Sequence, residues 1–109
     1  MDEFYYLVEE LYKDLNNPYV GTHHYLLAYL KMYPNTAISF LDYKEHIIRV
    51  IGRCRKKSEY IIYTPKARDI KNKSKSIKEV IYYVLNDKDS IGYNLLLSFN
   101  VEPSILLNS

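Results

Sequence analysis

His23 and His24 stand side by side, and the remaining histidine is His46. Adjacent residues on a helix point about 100° apart, so this pair cannot close on one metal ion as an i, i+4 pair does. No metal site is expected, and His24 reads as a residue that packs or bonds locally beside Thr22. Cys54 lies between Arg53 and Arg55, with Lys56 following. Positive neighbours lower the pKa of an exposed thiol, whereas a helical cysteine also serves as a small buried residue. A nucleophile needs an oriented base, and no residue spacing here supplies one. The G-x-x-x-x-G-K phosphate-binding pattern is absent. The chain is therefore expected to hold no catalytic residue and no cofactor, and to be no enzyme.

Charge is the next candidate for chemistry. Lys44 to Lys78 contains twelve Lys and Arg against three acids, while the rest of the chain carries three Lys and ten acids. A net +9 block inside a chain of net +2 would steer anionic partners toward it, although such runs are also ordinary solvated helix faces. Thirteen Tyr beside this block could stack single-stranded nucleic acid. Many of them instead fall at helical spacing with Leu and Ile, which is core patterning. If the block is functional, helices four and five should gather it on one surface, with Asp2 to Asp14 and Asp87 to Asp89 elsewhere.

The elements that would position these residues are helical. Phe4, Leu7, Val8, Leu11 and Leu15 recur at three- and four-residue steps and predict a helix from about Asp2 to Leu15, ended by Asn16-Asn17-Pro18. Thr22 is placed to cap a second helix with the stripe Tyr25, Leu26, Tyr29 and Leu30, stopped by Pro34. A short third helix spans about Thr36 to Leu41. Asp42, with Glu45 three residues on, then caps a fourth reaching about Lys57. Tyr60-Ile61-Ile62-Tyr63 has strand-like composition but no strand to pair with. Thr64-Pro65 reads as a cap followed by proline at the first helical position, opening a fifth helix to Lys73. After the loop Ser74-Lys75-Ser76, Ile77, Val80, Ile81, Val84 and Leu85 mark a sixth. Ser90 to Ser98 form a seventh and Pro103 to Leu107 a last turn.

At 109 residues the chain is sized for one domain with one core. A single Cys excludes an internal disulfide and a multi-thiolate zinc site, which suits a reducing compartment. No run approaches 18 apolar residues and the N-terminus is acidic, so a cytoplasmic protein with no membrane association is expected. Two stretches also look alike. His23 to Leu27 lies 56 residues before Glu79 to Tyr83, and Tyr43 to Ile48 lies 58 residues before Val101 to Leu106. This suggests a duplicated four-helix unit: an all-α fold of about eight short helices in two pseudo-symmetric repeats, about 1–58 and 59–109.

Asn17-Pro18-Tyr19-Val20-Gly21-Thr22-His23-His24-Tyr25-Leu26-Leu27 resembles the Y-[IV]-G-T-E-H-[IL]-L-L run of the Clp N-terminal domain, the repeat domain at the front of ClpA- and ClpC-type unfoldases. Tyr63-Thr64-Pro65-Lys66-Ala67-Arg68 resembles the Y-T-P-[RK]-A-[KR] that opens that domain's second repeat. The resemblance extends over nearly the whole chain, with His23 where the family has Glu and no G-T-E-H run in the second half. It implies a non-catalytic protein-interaction module that binds substrate, adaptor or a Clp-family ATPase. It also implies, from family members that bind phosphoarginine, a phosphate contact at Thr64, a guanidinium contact at Glu79, and rim charge from Lys66 and Lys78. A helix N-terminus favours an anion and a carboxylate matches a guanidinium. The rival expectation is a basic helical nucleic-acid-binding protein.

Overall fold

The computed structural model describes residues 1–34, 38–52 and 60–106. Among them the chain is all-helical, with six α-helices and one 3-10 turn: α1 (Asp2–Leu15), α2 (Thr22–Met32), α3 (Phe40–Ile51), α4 (Pro65–Lys73), α5 (Ile77–Asn86), α6 (Ile91–Ser98) and the turn Pro103–Leu106. None of these helices is long and apolar enough to cross a membrane. The organising element is α2, which is apolar on nearly every side. A helix of that kind must be enclosed, and Thr22 through Leu30 are all buried beneath α1, α3, α5 and α6. The amphipathic α1 lays Phe4, Val8, Leu11, Tyr12 and Leu15 against it and ends at Asn16, a left-handed residue at φ 52°.

Side-chain hydroxyls set most helix starts. Thr64, Ser76 and Ser90 each accept the backbone N–H three residues on, at 3.2 Å, at the heads of α4, α5 and α6. Ser39 does the same for α3, accepting from Asp42 at 3.4 Å. This corrects the expectation that Asp42 is the cap. Ile38 and Ser39 are not helical, and Phe40 and Leu41 begin α3, so no separate helix precedes it in the described part of Thr36–Leu41. The expected extension to Lys57 is also shortened. Gly52, at φ 79° and ψ −172°, donates its N–H to the Ile48 carbonyl and closes α3 at Ile51, because glycine enters this positive-φ region without a Cβ clash. Arg53 to Glu59, with Cys54, lie outside the described residues. About eight helices were expected, against six here.

Thr22 does not cap its own helix. The N-cap of α2 is Gly21, whose N–H donates to Nδ1 of His24 at 2.9 Å. The Thr22 hydroxyl accepts the N–H of Gly92, in the first turn of α6, at 2.8 Å. Thus one threonine satisfies an orphan donor of another helix. A Cβ on Gly92 would lie 3.0 Å from the Thr22 backbone, so only glycine admits this approach. Core tyrosines are anchored in the same manner, by hydroxyls reaching backbone carbonyls: Tyr25 to Ala67 at 2.6 Å, Tyr29 to Leu106 and Tyr43 to Gly92 at 3.4 Å each.

Candidate functional site

Both family-like motifs stand immediately before helices, α2 and α4, and one backbone ladder step joins them. Val20 donates its N–H to the Ile62 carbonyl at 2.8 Å and accepts from the Thr64 N–H at 2.9 Å, an isolated parallel bridge between Val20 and Tyr63. The strand-like composition of Tyr60 to Tyr63 is therefore used for a single bridge. That bridge brings Tyr19 beside Ile62, Thr64 and Pro65 to form a solvent-open groove of about 640 Å³ at the head of α4. Arg68, Asp69 and Asn72 extend its lining along one face of the helix. Tyr19 is 51% exposed and Ile62 39%, so the groove offers apolar surface to water.

The floor and the charges are fixed from behind. The Tyr63 hydroxyl donates to Glu9 of α1 at 2.7 Å, and burial together with that carboxylate pushes the phenol up. Lys71 places Nζ 4.6 Å from the Tyr63 ring centroid and 5.0 Å from that of Tyr5. Asp69 pairs with Lys73 at 3.2 Å. Lys66 pairs with Asp87 at 2.9 Å and holds its carboxyl below the usual range. Arg68 is then the groove charge left without an ion pair among the described residues.

The four residues implied by the family resemblance fall into two places. Thr64 caps α4 and lines the groove, and Lys66 beside it is tied to Asp87 at the end of α5. Glu79 is in the first turn of α5, eight residues or about 12 Å of helix rise before Asp87. Lys78 joins Tyr29, Tyr33, Pro34 and Ile77 around a separate small hollow. In the α4–α5 hairpin, Thr64 and Lys66 thus occupy the open end and Glu79 and Lys78 the end next to the 74–76 loop. The N-caps Gly21 of α2 and Ser76 of α5 are 55 residues apart, so the third residue after the cap is His24 in α2 and Glu79 in α5.

The basic block is not segregated from acids. Lys44 pairs with Asp14 and Lys66 with Asp87, which overturns the expectation that those acidic segments lie elsewhere. His46 contacts the Ser98 hydroxyl at 2.7 Å, but that hydroxyl donates to the Leu95 carbonyl, so the pair has the arrangement of a helix-end hydrogen bond. Among the described residues no three His, Cys, Asp or Glu converge. The feature that sequence reasoning missed is a buried polar cluster behind the groove. His23 and His24 both direct Nε2 at Oδ1 of Asn17, at 3.2 and 2.8 Å. The chain matches no family model and no curated protein.

Proposed function

We propose that this chain is a non-catalytic protein-interaction module of the Clp N-domain type, acting in the cytoplasm, whose groove at the head of α4 takes an apolar segment of a substrate, an adaptor or a Clp-family ATPase. The observation that supports this reading is the groove itself: exposed Tyr19 and Ile62 beside Arg68, built from the same two motifs that carry the family resemblance. Exposed apolar surface framed by polar residues is the ordinary mark of a protein-binding site. Six α-helices, three before the 53–59 segment and three after it, suit a duplicated unit. The separation of Thr64 and Lys66 from Glu79 and Lys78 favours a partner laid along the groove over a single phosphoarginine held by all four. Nucleic-acid binding is the less favoured reading, because Lys44, Lys66 and Lys73 are each engaged by an acid.

The test is photo-crosslinking from position 19, with position 6 as control, since Tyr6 is exposed on α1. The purified chain is incubated with the host's Clp-family ATPase and adaptors. Crosslinks from position 19 that disappear when Ile62→Ser/Arg68→Ser is added support the groove. Equal capture by both positions, or binding unaffected by the double substitution, refutes it. A steep fall of RNA or DNA binding with added salt would establish the rival.

A further inference from the structure

Asn17, His23 and His24 form a closed hydrogen-bond set behind the groove. All three are buried. The Asn17 carboxamide uses its full capacity: Oδ1 accepts from both imidazoles, and Nδ2 donates to the carbonyls of Leu15 and Gly52, each at 3.4 Å. This network ties the end of α1, the loop 16–21, the head of α2 and the end of α3 together. The same loop carries Tyr19, a wall of the groove, and Val20, which holds the Tyr63 segment through the bridge.

The network assigns protons to both Nε2 atoms and leaves both Nδ1 atoms as acceptors. Nδ1 of His24 accepts the Gly21 N–H. Nδ1 of His23 is buried with no partner, packed against Gly21, where a Cβ would come within 2.8 Å of it. An added proton must go to an Nδ1. On His24 it would set N–H against the Gly21 N–H, and on His23 it would bury a charge with no acceptor. The rings are 3.9 Å apart, so both cannot be charged, and the positive end of α2 opposes either charge.

Among the described residues no compensating anion faces the pair. Tyr12 of α1 lies edge-on to His24, α3 contributes the Gly52 carbonyl, and α6 contributes Ile91 against Gly21. Among the described residues no carboxylate acts on either imidazole. Burial accordingly pushes His23 down to about 4, and burial with the neighbouring ring pushes His24 well below its ordinary value.

We propose that Asn17, His23 and His24 are an acid-labile latch that holds the 16–21 wall of the groove, so that mild acidification releases the wall and with it the docked partner. The consequence for binding rests on the groove being the partner site; the latch itself does not. In the folded chain both rings are neutral. With the 16–21 loop opened and Asn17 withdrawn, the two histidines at the head of α2 meet water and return to the ordinary imidazole pKa, near 6.5, so opening gains protons as pH falls below that value.

The experiment is amide hydrogen exchange on the full chain from pH about 7 to about 4.5, corrected for intrinsic exchange rates. Exchange at the bridge amides of Val20 and Thr64 should rise roughly tenfold per pH unit for each proton taken up. Amides of Ile81 and Val84 in α5 should rise less. His23→Gln/His24→Gln keeps neutral donors, and Gln at position 24 keeps an acceptor for the Gly21 N–H; it should flatten the response. Flat exchange at Val20 and Thr64 in the wild type, or a rise matched at Ile81 and Val84, overturns the latch. The wild-type comparison decides even where the double variant fails to fold. Absence of partner binding at pH 7 would instead sink the groove, and the exchange data would still decide the latch.

Discussion

Gly92→Ala tests the interlock of α2 and α6. In an exposed helix this change stabilises by about 1 kcal/mol, because alanine loses less backbone entropy. Here the new Cβ would lie 3.0 Å from the carbonyl carbon and oxygen of Thr22 and 3.1 Å from Cγ1 of Val84. The first two atoms belong to the backbone of the buried central helix and cannot rotate aside. Overpacking of this kind costs about 1–3 kcal/mol. Displacing α6 also stretches the 2.8 Å bond from the Gly92 N–H to the Thr22 hydroxyl, worth about 0.5–1.5 kcal/mol. The sum is a net loss of roughly 1–3 kcal/mol, or about 4–12 °C in Tm at roughly 4 °C per kcal/mol. Urea unfolding followed by circular dichroism reads it directly. Thr22→Val, which leaves the Gly92 N–H buried without an acceptor, should cost about 1–3 kcal/mol, and Thr22→Ser much less. In the double variant the losses should fall short of additivity by at least about 0.5 kcal/mol, since both act on one contact. A Gly92→Ala protein as stable as wild type, or more stable, would refute the reasoning.

Tyr25→Phe should lower stability by about 0.5–1.5 kcal/mol through loss of the 2.6 Å bond to the Ala67 carbonyl, with α4 amides exchanging faster than those of α6. Gly52→Ala meets no atom within 4 Å yet should cost about 1–3 kcal/mol, measured by the same urea assay, because φ 79° with ψ −172° is a backbone region open essentially to glycine alone; Gly52→Asn should cost as much. Acid titration should show stability that is full above about pH 6.5 and lost as pH falls toward about 4. His23 alone accounts for up to about 3 kcal/mol, because the unfolded chain takes up the proton that the folded chain refuses. Stability independent of pH over that range would contradict the buried neutral pair.

Local chemistry was enough to read the helices whose ends are set by their own residues. The periodic stripe of α1, the Thr64-Pro65 start of α4 with its end at Lys73, and the loop before α5 follow from 3.6-residue spacing, capping hydroxyls and proline geometry, all short-range effects. Thr64 could likewise be placed at a helix head. The start of α3 was misread because Ser39 and Asp42 are both competent caps and propensity does not rank them. The tertiary structure decided everything that depends on one element meeting another. Thr22 is as good a cap in sequence as Thr64, yet Gly92, seventy residues away, takes its hydroxyl because glycine lets α6 touch the backbone of α2. The groove exists because Val20 and Tyr63 pair across 43 residues. Asn17 looked like a helix stop, and its convergence with His23 and His24 was hidden because adjacent side chains that diverge on an ideal helix can still reach one buried acceptor beyond the helix end. Residue spacing carries the angle at which a side chain leaves its helix. It does not carry the partner that burial, by excluding water, obliges that side chain to find.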